Sequence, residues 1–222
     1  MTRLIAILGA AALLAVGAVL YLGQRAPAVT DALVGAANAQ DAADVDTSTI
    51  VEMVQGAADA PVTMIEYASF TCPHCAAFHQ GTYQEIKKNY IDTGKVKLVY
   101  REVYFDKYGL WASMVARCGG PEKFFGISDL IYKGQSEWSK LGGAPEIVNE
   151  FRKIGRLAGI GEDELDVCLQ DADKAQTLVA WYQANAAEHE ITGTPSFVVN
   201  GEKVANQSYA EFAELFDAEL GN

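Results

Sequence analysis

Residues 67–79 read YASFTCPHCAAFH, and the reading of Cys72 and Cys75 within them decides the fold. Only Pro73 and His74 separate the two cysteines. Upstream, VTMIEYAS (62–69) is β-branched, aromatic and largely apolar on both faces, as expected of a strand inside a sheet. Downstream, the pattern predicts a helix from about Cys72 to Ile91. Phe78, Ile86 and Tyr90 share one face, and Glu85, Lys87 and Lys88 lie away from it. Thr71 suits the N-cap, and Pro73 is tolerated in the first turn because its missing N–H is harmless there. A cysteine at a helix start meets unpaired N–H groups and partial positive charge, and both favour a thiolate. His74 offers one more donor to the same sulfur. A stabilised thiolate favours the reduced pair, and that makes the disulfide a stronger oxidant. Cys75, one turn on, is the expected resolving thiol. Two other readings stand beside this one. Cys72, Cys75 and His79 offer three zinc ligands, although a structural site wants a fourth and no second Cys-x-x-Cys exists. The pair also fits a short structural disulfide.

The flanks predict an α/β fold. KVKLVYREVYF (95–105) alternates as a strand, so strand, helix and strand form a βαβ unit. TIVEMVQG (49–56) reads as a short strand before it. From about Lys107 to Glu190 the pattern gives four or five helices with glycine-containing breaks. TPSFVVNGEKV (194–204) reads as a hairpin turning at Asn200-Gly201. YAEFAELFDAEL (209–220) reads as an amphipathic helix with Phe212, Leu215, Phe216 and Leu220 inward. The hairpin is too small to make a sheet alone. Its strands are therefore expected to join the earlier ones, with the helical block, about 107–187, inserted between. Residues 49–222 are read as one domain.

The chain has 222 residues and a formal charge of −12. Such acidity argues against nucleic acid or an anionic membrane surface as a partner. Arg3 precedes an uncharged apolar run from Leu4 to Leu22. Residues 1–39 are read as an export signal cleaved after Ala37-Asn38-Ala39, or as a retained membrane anchor. Residues 40–48 are small and polar, and read as a linker. Either way the body is exported. Four cysteines in an oxidising compartment favour disulfides over free thiols.

CPHC at a helix start after a strand resembles the DsbA-type thiol–disulfide oxidoreductases of the thioredoxin superfamily. Four further features support the likeness over about residues 49–220. Glu66 stands six residues before Cys72, the place of that family's strand acid. VYREVYF resembles the strand after the active-site helix. GTPSFVVNG (193–201) resembles the loop carrying a cis-proline, here Pro195. A helical insertion separates the two halves. The resemblance implies a dithiol oxidase with Cys72, Cys75, His74, Pro73 and Glu66 in the reaction, Glu66 relaying a proton to Cys75. It places an extended substrate against Thr194 and Pro195. It implies no metal or organic cofactor, thiol-bearing exported proteins as substrates, a quinone-linked membrane partner as reoxidant, and a monomer in the periplasm. Some family members carry a lysine near the buried acid. This chain has Tyr100 and Arg101 there, so no charge partner for Glu66 is legible. A thiol reductase or disulfide isomerase on the same fold, and a non-catalytic periplasmic binding or chaperone module, are the alternatives, and the length leaves no room for an isomerase-type dimerisation domain, which disfavours that role.

Cys118 and Cys168 form the second pair and read as a structural disulfide across the insertion. A second redox relay, for which there is no Cys-x-x-Cys setting, and two buried thiols are the alternatives. His79 and His189 read as surface residues. Phe70, Phe78, Tyr108 and Trp111 are candidates for an apolar substrate groove, with the core as the plainer reading.

Overall fold

The computed structural model describes residues 45–221. Residues 1–39, read from the sequence as an export signal or a membrane anchor, and residues 40–44 of the expected linker lie outside them. Strand β1 (Met53–Gln55) leads to β2 (Val62–Ala68), α1 (Pro73–Gln80), α2 (Thr82–Ile86) and β3 (Val96–Glu102). Five helices follow: α3 (Lys107–Cys118), α4 (Gly120–Trp138), α5 (Ala144–Leu157), α6 (Glu162–Gln170) and α7 (Ala172–Glu188). Then come β4 (Ser196–Val199), β5 (Glu202–Val204) and α8 (Tyr209–Glu219). Among the described residues no helix is long and apolar enough to cross a membrane.

The strands form one sheet in the order β1-β3-β2-β4-β5, so the hairpin after the helical block joins the strands before it. β2 pairs with β3 in parallel and with β4 antiparallel. That central place explains its two apolar faces. Met64 packs with Phe78, Phe197, Phe212 and Phe216 on one side. Ile65 and Tyr67 pack with Val198, Tyr182 and Ile191 on the other. The period-two alternation of a strand puts Glu66 on the same face as Met64 and Ala68, beneath α1. The hairpin turns at Asn200 (φ 47°) and Gly201 (φ 93°), the positive angles a tight two-residue turn requires. At α8 the Ser208 hydroxyl accepts from the Glu211 N–H, and the Glu211 carboxylate accepts from the Ser208 N–H. Phe212 and Phe216 are fully buried there, while Leu215 and Leu220 are half-buried.

The helix expected over 72–91 is interrupted. α1 stops at Gln80, Gly81 takes a non-helical conformation (φ −123°, ψ −97°), and α2 ends in a π-turn over Lys87–Ile91. Gln84 Nε2 donates to the freed His79 carbonyl (3.0 Å), which meets part of the cost of the break. The apolar face survives it: Phe78, Ile86 and Tyr90 are all buried. Thr71 does not cap the helix. Cys72 takes the N-cap, and the Thr71 hydroxyl lies 3.1 Å from Ser69 Oγ.

The insertion closes over the C-terminal end of β2 and over α1. Phe70, Cys72, Cys75 and Ala76 share a core with Phe124, Ile127, Ile131 and Tyr132 of α4. The block is tied to β3 by a buried cluster in which Arg117 Nε and Nη2 donate to the two Glu102 oxygens, each at 2.6 Å. Ser113 Oγ donates to the same carboxylate at 2.9 Å. Cys118 at the end of α3 is disulfide-bonded to Cys168 in α6, 50 residues on.

Candidate active site

Three segments converge on Cys72. β2 delivers the turn that ends in it. The Cys72 N–H donates to the Ser69 carbonyl (3.1 Å), and the Cys72 carbonyl accepts from Ala76, starting α1. From α4, Gln135 Nε2 donates to the carbonyls of Phe70 (2.7 Å) and Cys72 (2.9 Å), fixing the turn from above. β4 begins opposite the end of β2, with Ser196 across from Tyr67. That register sets the cis Thr194–Pro195 bond beside the sulfur. Cys72 Sγ, as a thiol, donates to the Thr194 carbonyl at 3.3 Å.

The two sulfurs have opposite surroundings. Cys72 is 9% exposed and Cys75 is fully buried. Cys72 is lowered to about 5, first by the hydrogen bond it accepts from the Cys75 thiol. Burial opposes this. The Thr194 hydroxyl and the backbone N–H groups of Cys75 and His74 add to the lowering. As an anion the sulfur gives up its bond to the Thr194 carbonyl, and these donors outweigh that single acceptor. The Thr194 hydroxyl is buried with no hydrogen-bond partner, so it is free to turn to the sulfur once the thiolate forms. Cys75 is pushed far above the ordinary thiol range, first by burial, then by its bond to Cys72, then by the charge of Glu66. The arrangement favours a thiolate at Cys72, the less buried of the two sulfurs, and keeps the proton on Cys75.

The predicted residues are not equally engaged. Pro73 occupies the first turn and leaves no N–H unpaired. His74 is exposed, and it acts on Cys72 through its backbone N–H rather than through the ring. Glu66 is fully buried, and its partner is His79, whose Nε2 lies 3.1 Å from Oε1. His79 is only 2% exposed, so the surface reading of that residue is corrected. It follows Cys75 by four positions, the helical interval that puts both on one face. Arg101 is excluded as Glu66's partner by strand alternation. Its side chain lies on the other face, bonded to Glu52 and to the Tyr67 hydroxyl. Tyr100 does face the acid's side and bonds Tyr132 through its hydroxyl (2.6 Å). Phe70 and Phe78 are core residues, and Tyr108 and Trp111 are half-buried against the core that holds Phe70. His189 is half-buried, with Nδ1 2.6 Å from the Tyr67 hydroxyl. Gln135 gave no motif. Its one signal is that it continues the buried face Phe124, Ile127, Ile131 and Trp138 of α4 with a polar side chain. Among the described residues no cluster of three or more His, Cys, Asp or Glu is placed to hold a metal.

A thioredoxin family model matches residues 48–218, and the chain belongs to that family. A Rickettsia bellii protein, named as a candidate protein-disulfide oxidoreductase, is 37% identical over 167 residues. The match takes in 75% of this chain and 63% of that protein. The chain thus spans less than two thirds of that relative. Disulfide bond formation protein D of Bacillus subtilis is 25% identical over 179 residues, covering 75% of this chain and 76% of the relative. The crystal structure of Wolbachia pipientis α-DsbA1 superposes with a TM-score of 0.70 at 26% identity, over 77% of this chain and 91% of that one. The fold is the DsbA type of thioredoxin-like fold expected from the sequence.

Proposed function

We propose that the protein is an exported dithiol oxidase that passes its Cys72–Cys75 disulfide to folding proteins. The observation that carries this is the asymmetry of the two sulfurs: Cys72 is lowered to about 5, while Cys75 is raised and fully buried. A substrate thiolate attacks Cys72 Sγ, the Cys72–Cys75 bond breaks, and a mixed disulfide forms. The substrate's second thiol then attacks its own sulfur in that mixed disulfide. Cys72 leaves as a thiolate, the substrate disulfide forms, and the enzyme is left reduced. A stable leaving thiolate drives this direction. The Thr194 backbone beside Cys72 suits an extended substrate that adds as a strand. The substrates are thiol-bearing exported proteins, and a quinone-linked membrane protein restores the disulfide. The protein acts as a monomer in the periplasm, released from its N-terminal segment or tethered by it. The similarity to α-DsbA1 and to disulfide bond formation protein D supports the reading. The test is transfer to reduced, unfolded ribonuclease A. One disulfide gained by the substrate and two thiols by the enzyme are expected per oxidised enzyme, with the Cys72-linked mixed disulfide of the unsubstituted protein caught by rapid acid quenching. Recovery of unreacted oxidised enzyme would refute the reading.

A further inference from the structure

The buried Glu66–His79 pair ends on a cleft. Each partner keeps one buried atom with no hydrogen bond, Oε2 of Glu66 and Nδ1 of His79. Unpartnered polar atoms are costly in a core and rare without a reason. The rings around His79 fix its position: Tyr132 is stacked on it at 4.3 Å and Tyr83 lies at 4.6 Å on α2. Tyr100 of β3 meets it edge-on at 5.8 Å. His79 also forms part of the wall of a surface cleft of about 310 Å³, together with Gln80, Gln84, Asp129, Tyr132 and Lys133. Behind it, Glu66 is close enough for its charge to act on Cys75, Tyr83, Tyr100 and Tyr132. The three tyrosines are held protonated, first by burial, so they do not compete for a proton near neutrality. Asp129 and Lys133 stand at the cleft, on the solvent side.

We infer that His79 is the outer half of a proton relay, carrying protons between the water of this cleft and Cys75 by way of Glu66. The proton balance requires such a group. When substrate attacks Cys72 Sγ, the Cys72–Cys75 bond breaks and its electron pair stays on Cys75 Sγ. That sulfur is fully buried, and solvent does not reach it. The proton shared by Glu66 and His79 moves to Cys75 Sγ, and His79 takes a replacement from the cleft. In reoxidation the same proton leaves by the reverse route. An imidazole is suited to this task because it accepts at one nitrogen while it donates at the other. A lysine in its place would hold the charge but exchange protons poorly near neutrality.

The relay rests on the disulfide-exchange reading of Cys72 and Cys75, but the two fail separately, since the relay sets rates and not direction. The test follows reduction of the oxidised full chain by dithiothreitol with rapid acid quenching and thiol labelling. Three samples are compared: the unsubstituted protein, His79→Gln, and His79→Ala with and without added imidazole. His79→Gln is expected to slow reduction about tenfold or more while the Cys72 thiolate absorbance keeps its midpoint. His79→Ala opens the wall onto the cleft, and imidazole is expected to restore its rate in proportion to concentration. A His79→Gln rate within about twofold of the unsubstituted protein, or a slow His79→Ala that imidazole leaves slow, overturns the relay. If neither variant folds, the unsubstituted protein decides alone: reduction is expected to slow about twofold or more in deuterium oxide, and an equal rate there overturns it.

Discussion

The opposed proton affinities of the two sulfurs fix how the midpoint potential of the pair depends on pH. Reduction of a disulfide takes up two electrons, and as many protons as the product thiols hold. With Cys72 lowered to about 5 and Cys75 raised, the product above pH 5 is one thiolate and one thiol. One proton per two electrons gives a slope of about 30 mV per pH unit, and two protons give about 60 mV. The expected line is therefore shallow from pH ~5 upward and steepens only below it. An unperturbed pair, with thiols near 8.5, would stay on the steep slope through neutrality. At pH 7 the lowered thiolate favours the reduced protein about a hundredfold over an unperturbed one, or about 60 mV towards the oxidant side. Solvent and salt around the accessible sulfur make that an upper figure. The advantage grows between the folded value of about 5 and the free-thiol value near 8.5 and vanishes below about 5, as it must for a group whose folded pKa is depressed. Glutathione redox buffers from pH 4 to pH 9, with acid quenching and mass-resolved labelling of Cys72 and Cys75, measure the line. A slope near 60 mV per unit between pH 6 and pH 8 would refute the assignment of one thiolate and one thiol.

Two further outcomes concern the scaffold. Glu102→Ala leaves the Arg117 guanidinium, itself 5% exposed, buried without its carboxylate. A loss of about 3–5 kcal/mol is expected by urea unfolding, and a loss under about 1 kcal/mol would show that the cluster does not anchor the insertion. Replacing Cys118 and Cys168 together by alanine frees a 50-residue separation. The chain-entropy argument puts the cost at roughly 4 kcal/mol. The Cys72 thiolate absorbance should be unchanged in that variant, and a shifted midpoint would implicate the second pair in the redox site.

Most of the frame was legible because it rests on local patterns. β2 has its two apolar faces, Asn200-Gly201 supplies the positive angles of a turn, and Ser208 with Glu211 makes a capping box. What stayed hidden depends on chain segments meeting across space. The break at Gly81 leaves the apolar face of 72–91 intact, so periodicity could not reveal it. In β3, Tyr100 and Arg101 follow each other but project to opposite faces, so adjacency in sequence does not name the partner of Glu66. The answer lay on α1, where the four-residue interval from Cys75 to His79 was the available signal. Gln135 reaches the site across 63 residues, and no local pattern announces a contact of that range.

The account stands on Cys72 as the low-pKa sulfur of the pair, and absorbance at 240 nm during a pH titration of the reduced protein reads it directly, with the oxidised protein as blank. One thiolate should appear with a midpoint near 5, with no second one following through neutrality. A single rise centred near 8.5, the value of a free thiol, would contradict it.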